Sequence, residues 1–178
     1  MADTERTLAA MLVLGADNTT GDISPQDYRD GLVSVSPSFG SMYFSTPAAT
    51  TPAGAGTYLK ALGTTTSVNL GGFTMPASNK LLYTGTPDIH VHCACSISMT
   101  CASTNKILGF KIAKNGSVFD HSEVHRKVAT GSDIGSTALH SDFAMSTNDY
   151  VELFLANITD TNTVTIEFGY VFCLGMFV

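Results

Sequence analysis

The sequence predicts a mainly β protein built as an antiparallel sandwich, jelly roll or barrel, and three observations support this expectation. From residue 40 onward, eight or more short runs rich in β-branched and aromatic residues follow one another. Turn-forming residues separate these runs, among them Asn115 and Gly116 at the centre of the hairpin-type turn "KNGS". No helical run and no repeat of fixed period interrupts the series.

The first part of the chain departs from the β pattern and predicts two short helices. Residues 4–14 form an apolar-leaning helix candidate that Gly15 closes. Further along, Ser24 is expected to cap a second helix whose first position is Pro25, where a missing amide hydrogen costs nothing. Asp27 follows the cap by three residues, so its carboxylate is expected to face the positive end of that helix.

The second predicted helix, residues 25–35, is amphipathic. Tyr28, Leu32 and Val35 fall at helical spacing on one apolar stripe. The residues off that stripe are expected in solvent, namely Gln26, Arg29 and Asp30. A helix of three turns is too short to be stable alone, so we expect the stripe to dock against another surface and the helix to end before Pro37.

The strand candidates follow in a regular series. The first is "GSMYFS" at 40–45, and a Pro-, Gly-, Ala- and Thr-rich loop at 46–59 separates it from the rest. The others are, in chain order, "TTTSVNL", "FTM", "KLLYTG", "DIHVHCACSISMTC", "KILGFKIAKNG", "EVHRKVAT", "TALHSDFAM", "DYVELFLANI" and "TVTIEFGYVFCLGMFV".

The strand "DIHVHCACSISMTC" predicts one core face and one face suited to another chain. Alternation places one set of side chains in the core: Ile89, Val91, Cys93, Cys95, Ile97, Met99 and Cys101. His90 and His92 take the opposite face, where the remaining side chains are small and weakly polar. Such a face loses little hydration on contact, so it favours packing against a partner.

The final strand is apolar on both faces. One face is expected to hold Val164, Ile166, Phe168, Tyr170, Phe172, Leu174 and Met176, and the other holds Val171, Cys173 and Phe177. An antiparallel strand that is apolar on both sides needs cover on both sides. We therefore expect an oligomer, with these subunit-interface candidates: His90, His92, Val171, Cys173 and Phe177.

Charge and composition exclude several classes of function. The net charge is −6, charged residues make up 13%, and no run of Lys and Arg occurs, which argues against a nucleic-acid partner. No stretch is long and apolar enough for a membrane span, and acidic Asp3 and Glu5 precede the short apolar run 8–14, unlike a signal peptide. We expect a soluble protein made in a cytoplasm, with its four cysteines as reduced core thiols.

Catalytic motifs are missing from the sequence. It contains no G-x-S-x-G, no H-E-x-x-H and no phosphate loop, so we expect no enzyme activity and no cofactor. Asp142, Asp149 and Glu152 are interpreted as solvated strand ends rather than a carboxylate pair. The segment "HSEVHRK" at 121–127 is interpreted as a solvent-facing strand, with a docking surface for an acidic or glycan partner as the alternative.

Residues 40–178 resemble the tumour-necrosis-factor-like jelly roll found in tailed-phage structural proteins. The segments on which the resemblance rests are "GSMYFS", "GTYLKALGTT", "FTMPASNKLLYTG", "GFKIAKNGSVF" and "NDYVELFLANITDTNTVTIEFGYVF". The opening "LGADNTTGDISPQDYRDGLVSV" resembles a segment that precedes such domains in phage virion proteins. The resemblance implies a tether with short helices at 1–38, a jelly roll at 39–178, and a trimer whose inner sheets meet at a threefold axis.

The resemblance also implies a role and partners. We expect a homotrimeric decoration or cement protein on the capsid surface, assembled in the host cytoplasm and bound to the major capsid protein or another virion protein. The capsid-docking candidates are Ser24, Pro25, Asp27, Tyr28, Arg29 and Leu32. The alternative is a tail fibre or receptor-binding tip, with loops 46–57 and 129–136 as its contact surface. An enzyme that degrades host polysaccharide has no sequence support.

Metal binding is not expected from "HVHCAC" within one strand. Alternation points the two histidines one way and the two thiols the other, so the four groups do not share a site. An ion held by imidazoles from three copies on a threefold axis is the alternative, and ordinary surface or interface histidines are favoured over it.

Overall fold

The structure is a computed structural model that describes residue 6 and residues 8–15, 23–129 and 133–177. Two helices precede the strands, α1 (Leu8–Gly15) and α2 (Pro25–Ser34). The helix predicted over 4–14 is therefore described from Leu8 onward, and most of its earlier residues lie outside the described part. The second helix matches its prediction at both ends to within one residue.

Strands account for most of the rest of the described chain. Their bounds are β1 (Ser38–Pro47), β2 (Ala49–Thr50), β3 (Leu59–Lys60), β4 (Gly63–Gly71), β5 (Phe73–Ala77), β6 (Lys80–Tyr83), β7 (Ile89–Cys101), β8 (Lys106–Lys114), β9 (Ser117–Val118), β10 (Val124–Val128), β11 (Gly135–Met145), β12 (Tyr150–Asn157) and β13 (Val164–Phe177). A single 3-10 turn, Asp120–Ser122, interrupts the described strand series.

Two antiparallel sheets form a sandwich with jelly-roll topology. Sheet A has the strand order β11-β7-β13-β1-β4 and also holds β2, and sheet B has the order β10-β8-β12-β6-β5 and also holds β3 and β9. Among the eight principal strands (β1, β6, β7, β8, β10, β11, β12 and β13), the first pairs with the last, the second with the seventh, the third with the sixth, and the fourth with the fifth. This nesting is that of a jelly roll, so the predicted fold class is confirmed.

The core lies between the two sheets and follows the predicted alternation in β7. The odd-numbered side chains of β7, from Ile89 to Cys101, are buried, whereas His90 and His92 are exposed on the outer side. The four cysteines are buried free thiols, as expected for reduced core residues. The turn after β8 also matches, because Asn115 and Gly116 both adopt positive φ angles of 53° and 78°, as a type I′ hairpin turn requires.

A β-bulge changes which face of β13 is buried. Ile166 pairs with Met99 of β7, and Phe168 pairs with the next residue, Ser98, so one residue of β13 is left over between them. Before the bulge Val164 and Ile166 are buried; after it the buried positions are Gly169, Val171, Cys173 and Gly175. The single apolar face predicted from Val164 to Met176 is therefore wrong, because the bulge transfers Phe168 and its successors to the outer side.

Two predicted interface residues are corrected by this register. Val171 and Cys173 lie in the core of the single chain, with 1% and 0% of their surfaces exposed. They contact the opposite sheet, so they are not available to a partner subunit. His90 and His92 remain on the outer side of sheet A. The side chain of Phe177, the fifth candidate, lies outside the described part of the structure.

Candidate interaction surfaces

The outer face of sheet A presents a line of large apolar side chains to solvent. Phe168, Tyr170, Leu174 and Met176 project from β13 on this side, and 74% of the Phe168 surface is exposed. Tyr43 of β1 pairs with Tyr170, so their side chains share the face. We call Tyr43, Phe168 and Tyr170 the aromatic ridge. Neighbouring apolar residues this exposed are typical of an interaction surface.

A groove runs beside the aromatic ridge because the adjoining strands carry small residues. Phe168 and Tyr170 of β13 pair with Ser98 and Ser96 of β7. Those two serines pair in turn with Ser136 and Ala138 of β11. The height difference between the aromatic and small side chains leaves a groove of about 640 Å³ lined by both sets. The same face thus presents a ridge and a cavity side by side.

At the end of sheet A nearest the start of β1, four polar side chains lie beside the exposed Leu174 and Met176. His90 and His92 of β7 lie there with His140 and Asp142 of β11, and we call these four residues the histidine patch. The His90 Nε2 atom lies 3.2 Å from Asp142 Oδ2, and the His92 and His140 rings meet edge to face with centroids 5.7 Å apart. The hydrogen bond from His90 holds the pKa of the Asp142 carboxyl below its usual value.

The outer face of sheet B differs, because its charged groups bind one another. Lys111 projects from β8, and its Nζ donates to Asp120 at 2.7 Å and pairs with Glu123 at 3.0 Å. Tyr58 donates to Glu123 at 2.6 Å, and its ring lies under the Lys111 ammonium at 4.4 Å. His125 Nε2 lies 2.7 Å from Glu123 Oε1, the same oxygen that accepts from Tyr58. These five side chains form the Lys111 cluster.

Hydrogen bonds in the Lys111 cluster shift the titration of its members. The bond from Tyr58 lowers the pKa of Glu123 to about 2. Burial raises the pKa of the Tyr58 hydroxyl, and the Glu123 carboxylate adds to that rise. Two residues of the segment "HSEVHRK", Glu123 before β10 and His125 on this edge strand, therefore bind side chains of the same chain. Arg126 and Lys127 of the same strand remain exposed.

The three carboxylates considered at the sequence level lie apart and have different partners. Glu152 is buried and pairs with Lys60 Nζ at 2.8 Å, so its assignment to a solvated strand end is wrong. Asp149 accepts hydrogen bonds from the Ser146 backbone and the Asn115 amide, which ties the β11–β12 turn to the β8–β9 hairpin. Asp142 belongs to the histidine patch. They do not form a carboxylate pair.

Helix α2 begins with the predicted cap. The Asp27 backbone amide donates to Ser24 Oγ at 3.1 Å, and the Ser24 amide donates to Asp27 Oδ2 at 2.9 Å, which closes a reciprocal capping box. The hydrogen bond from the Ser24 side chain is the main reason that the pKa of Asp27 is lowered. Pro25 occupies the first helical position as expected.

The buried side of α2 is polar, which corrects the sequence prediction. Asp30, expected in solvent, is 2% exposed, because Arg6 Nε and Nη2 donate to Asp30 Oδ2 at 3.0 and 2.8 Å. Arg6 Nη2 also pairs with Asp27 at 2.9 Å, and its backbone amide donates to Ser34 Oγ at 2.6 Å. Arg6 thus holds the chain before α1 against the polar side of α2.

The apolar stripe of α2 faces outward. Tyr28, Leu32 and Val35 are all more than half exposed. Together with Ile23 and with Met11 of α1, they line an apolar groove of about 330 Å³. Of the six capsid-docking candidates, Tyr28 and Leu32 supply apolar area. Asp27 is occupied by the cap and by Arg6, and Arg29 donates to Gln26 on the same helix at 2.7 Å.

Sequence reasoning missed the residues that dominate the outer face of sheet A. Phe168 and Tyr170 were assigned to a covered face, and Tyr43 was not singled out. The available signal was Gly169 between the two aromatics. A Cβ at that position would lie 2.8 Å from the Phe44 ring, which marks an inward-facing position where the strand packs closely on the core.

In the described part of the chain, no helix is long and apolar enough to cross a bilayer. As the side chains are placed, no three His, Cys, Asp or Glu residues of the described part converge as ligands of one ion.

Comparison with known proteins gives likenesses of fold only. No family model matches the chain, and no curated protein does. Among solved structures, murine APRIL at pH 5.0 aligns with a TM-score of 0.47 and 9% identity over 75% of this chain and 98% of that one. PRD1 vertex protein P5 aligns with a TM-score of 0.42 and 13% identity over 79% and 97%. At these values the assignment of the jelly roll rests on the strand order of the chain itself.

Proposed function

We propose that this chain is a structural protein of a tailed-phage virion, which forms a homotrimer through the outer face of sheet A and decorates the head shell. The observation that supports the proposal most is the aromatic ridge, which stays exposed beside a groove of suitable depth. A face of this kind is costly in water, because apolar area contributes about 25 cal/mol per Å² when it is covered. The virion assignment rests on the resemblance of the sequence segments to phage structural proteins.

A ridge and a groove on one face can join copies in a two-fold dimer, where each ridge enters the other's groove, or head to tail. When the ridge of one copy enters the groove of the next, the two contacting surfaces differ, and such head-to-tail contacts generate rings if the rotation closes. The three-fold closure is what the family resemblance implies. Each subunit would then cover Phe168 and Tyr170 against the small residues Ser96, Ser98 and Ala138 of its neighbour.

The proposed tether is the helical segment before residue 38. The outer face of sheet B already pairs its own charges, so it offers few groups to a shell protein. The groove formed by Met11, Ile23, Tyr28, Leu32 and Val35 offers apolar area instead. In this proposal each trimer bridges neighbouring capsid subunits, and the added contacts stabilise the shell because they bind its assembled form and not its separated parts.

A variant of the tether tests the docking step. Leu32→Asp in the full-length chain places a charge on the apolar groove and is expected to lower binding to undecorated heads at least roughly tenfold, with the trimer unchanged. Cosedimentation of heads with the purified chain measures this. Ile107→Asp is the matched control, because it places the same charge on an exposed residue of sheet B. Equal binding by Leu32→Asp and the control would contradict the tether.

Immunogold electron microscopy of the parent particle tests the location. Gold spread over the head is expected for a decoration protein. Gold confined to the tail would replace the proposal with the tail-fibre or receptor-binding alternative, and the loop at 46–57 would become the surface to examine. The loop predicted at 129–136 is only partly described, since residues 130–132 lie outside the described part and β11 starts at Gly135. Particles without gold would contradict the virion assignment.

A further inference from the structure

The histidine patch brings three metal-compatible donors together on two neighbouring strands. We propose that His92, His140 and Asp142 form a binding site for a divalent first-row transition-metal ion of the Zn²⁺ class, with His90 positioning the carboxylate. All four residues belong to one chain, so the site does not require the trimer proposed above.

The strand register places the three donors at neighbouring positions on one face of sheet A. His92 of β7 lies directly opposite Asp142 of β11. His140 precedes Asp142 by two residues on the same strand, so its side chain points to the same side. The ring contact of His92 with His140, at 5.7 Å between centroids, shows that these side chains already meet across the strands. Two donors from one strand and one from its neighbour can cap one face of a tetrahedral ion.

The chemistry of the set matches a borderline transition metal. Zinc binds imidazole nitrogen at about 2.0–2.1 Å and carboxylate oxygen at about 2.0–2.2 Å. Two histidines and one carboxylate leave further positions open on an exposed face, and water fills them. Thiolate ligands are excluded here, because Cys93 and Cys95 of the same strand point into the core. Mg²⁺ and Ca²⁺ fit less well, since they prefer oxygen ligands.

Side-chain rotation completes the site without moving the backbone. As placed, the Asp142 carboxylate turns toward His90, 3.2 Å away, and not toward the two other histidines. The Asp142 and His90 side chains are 72% and 47% exposed, so their rotation disturbs no core packing. His90 can then donate to one Asp142 oxygen while the other binds the ion, the arrangement in which an outer partner orients a ligand.

The sequence did not predict this site because two of the three ligands come from β11. Within "HVHCAC", alternation correctly separates the histidines from the thiols, and that argued against a metal. The pairing of β7 with β11 is a long-range contact that no local pattern encodes, and it adds His140 and Asp142 to the same face.

Zinc titration of the untagged full-length chain tests the proposal. After EDTA treatment and its removal, isothermal titration calorimetry with ZnCl₂ at neutral pH is expected to give about one ion per chain. His92→Ala, His140→Ala and Asp142→Asn each remove a ligand and should weaken affinity at least about 100-fold, whereas His90→Ala should weaken it about tenfold. His125→Ala is the matched control, because it disrupts a histidine–carboxylate contact on sheet B. Co²⁺ loading should give the visible absorption of a tetrahedral N/O site.

Several outcomes would overturn the metal site. They are no Zn²⁺ binding by the folded chain, an affinity in His92→Ala and His140→Ala that is unchanged from the parent chain, or a ratio of one ion per three chains. Thermal denaturation of each variant before zinc addition confirms that these exposed substitutions leave the fold intact. Light scattering on the same samples separates this result from the assembly proposal. A monomer that binds zinc through His92 supports the site alone, and a trimer without zinc supports the assembly alone.

Discussion

The two outer faces of the sandwich differ in how the side chains of their strands are covered. On sheet B, charged side chains at the centre of the sheet are paired inside the chain: Lys111 with Asp120 and Glu123, and Lys60 with Glu152. On sheet A, the aromatic ridge stays exposed beside an open groove. A strand face can therefore be covered by its own chain or left for another chain, and the covered face is recognised by its paired charges.

The difference follows from which side chains of the same chain lie across the outer side of each sheet. Tyr58, which precedes β3, lies across the outer side of sheet B, where it donates to Glu123 and its ring covers the Lys111 ammonium. Gly109 on β8 has no side chain because the Tyr58 hydroxyl occupies that space; a Cβ there would clash with it. On sheet A the middle strand, β13, presents Phe168, which remains largely in solvent. The proposed trimer supplies the missing cover from a second copy.

The largest expected effect comes from charging the open face. Phe168→Arg should weaken self-association by about 2 kcal/mol or more, roughly 30-fold, because a large aromatic at the centre of an interface is replaced by a charge that must be desolvated. Sedimentation equilibrium of the variant and the parent chain measures the change. Since the residue is exposed in the single chain, the subunit should keep its fold.

Ile107→Arg provides the matched control for Phe168→Arg. Ile107 is an exposed apolar residue on β8 of sheet B, and the comparison of faces predicts that its substitution leaves self-association unchanged. Equal loss of self-association in both variants would show that the outer face of sheet A is not the face through which copies associate.

A smaller effect is expected from breaking the completed face. Lys111→Met removes the ammonium that Asp120, Glu123 and the Tyr58 ring share, and it leaves a carboxylate without its main cation. We expect a loss of about 1–3 kcal/mol in the free energy of unfolding, measured by urea denaturation at neutral pH. Lys127→Met is the control, because Lys127 is exposed on the neighbouring strand β10. A Lys111→Met chain as stable as the control would contradict the claim that the paired charges on the outer face of sheet B stabilise the fold.

The pH dependence of stability gives a third, weaker test of the same cluster. The pKa of Glu123 is about 2 in the folded chain, below its ordinary value of 4.5. A lowered folded pKa stabilises the protein above the unfolded value, and this contribution is lost as the pH falls from about 4.5 to about 2. Glu123→Gln should therefore flatten the decline of the melting temperature in that window, and Tyr58→Phe should flatten it in part. An unchanged decline in both variants would contradict the assigned cause.

The smallest effect is expected at the helical segment. Ser24→Ala removes the Ser24 Oγ that accepts the Asp27 amide, whereas the backbone amide of residue 24 can still donate to Asp27. The loss should cost α2 about 1 kcal/mol, seen as faster amide exchange across Pro25–Ser34. The exchange of sheet A and sheet B amides should not change, because the helix precedes the sandwich. Faster exchange throughout both sheets would mean that α2 and the sandwich unfold together.

Local patterns predicted much of this molecule. Alternation in β7 identified its core positions, Asn115-Gly116 identified the hairpin, and Ser24-Pro25 with Asp27 identified the start of α2. Each of these features depends on residues within a few positions of one another, where backbone geometry alone decides the outcome.

Features that depend on distant partners were missed or reversed. The bulge in β13 depends on its pairing with β7, and it moved Val171 and Cys173 into the core and Phe168 out of it. The burial of Asp30 depends on Arg6, which lies 24 residues away. An apolar stripe indicates where an amphipathic helix would prefer cover, yet a single arginine with two carboxylates was enough to reverse the buried side of α2.

The mass of the purified full-length chain in solution tests the central claim most directly. Size-exclusion chromatography with multi-angle light scattering should give about 56 kDa, three times the 18.7 kDa of one chain, and Phe168→Arg should move the protein toward 18.7 kDa. A parent chain that elutes at 18.7 kDa across micromolar concentrations would contradict the account, because the aromatic ridge would then remain uncovered in the native protein.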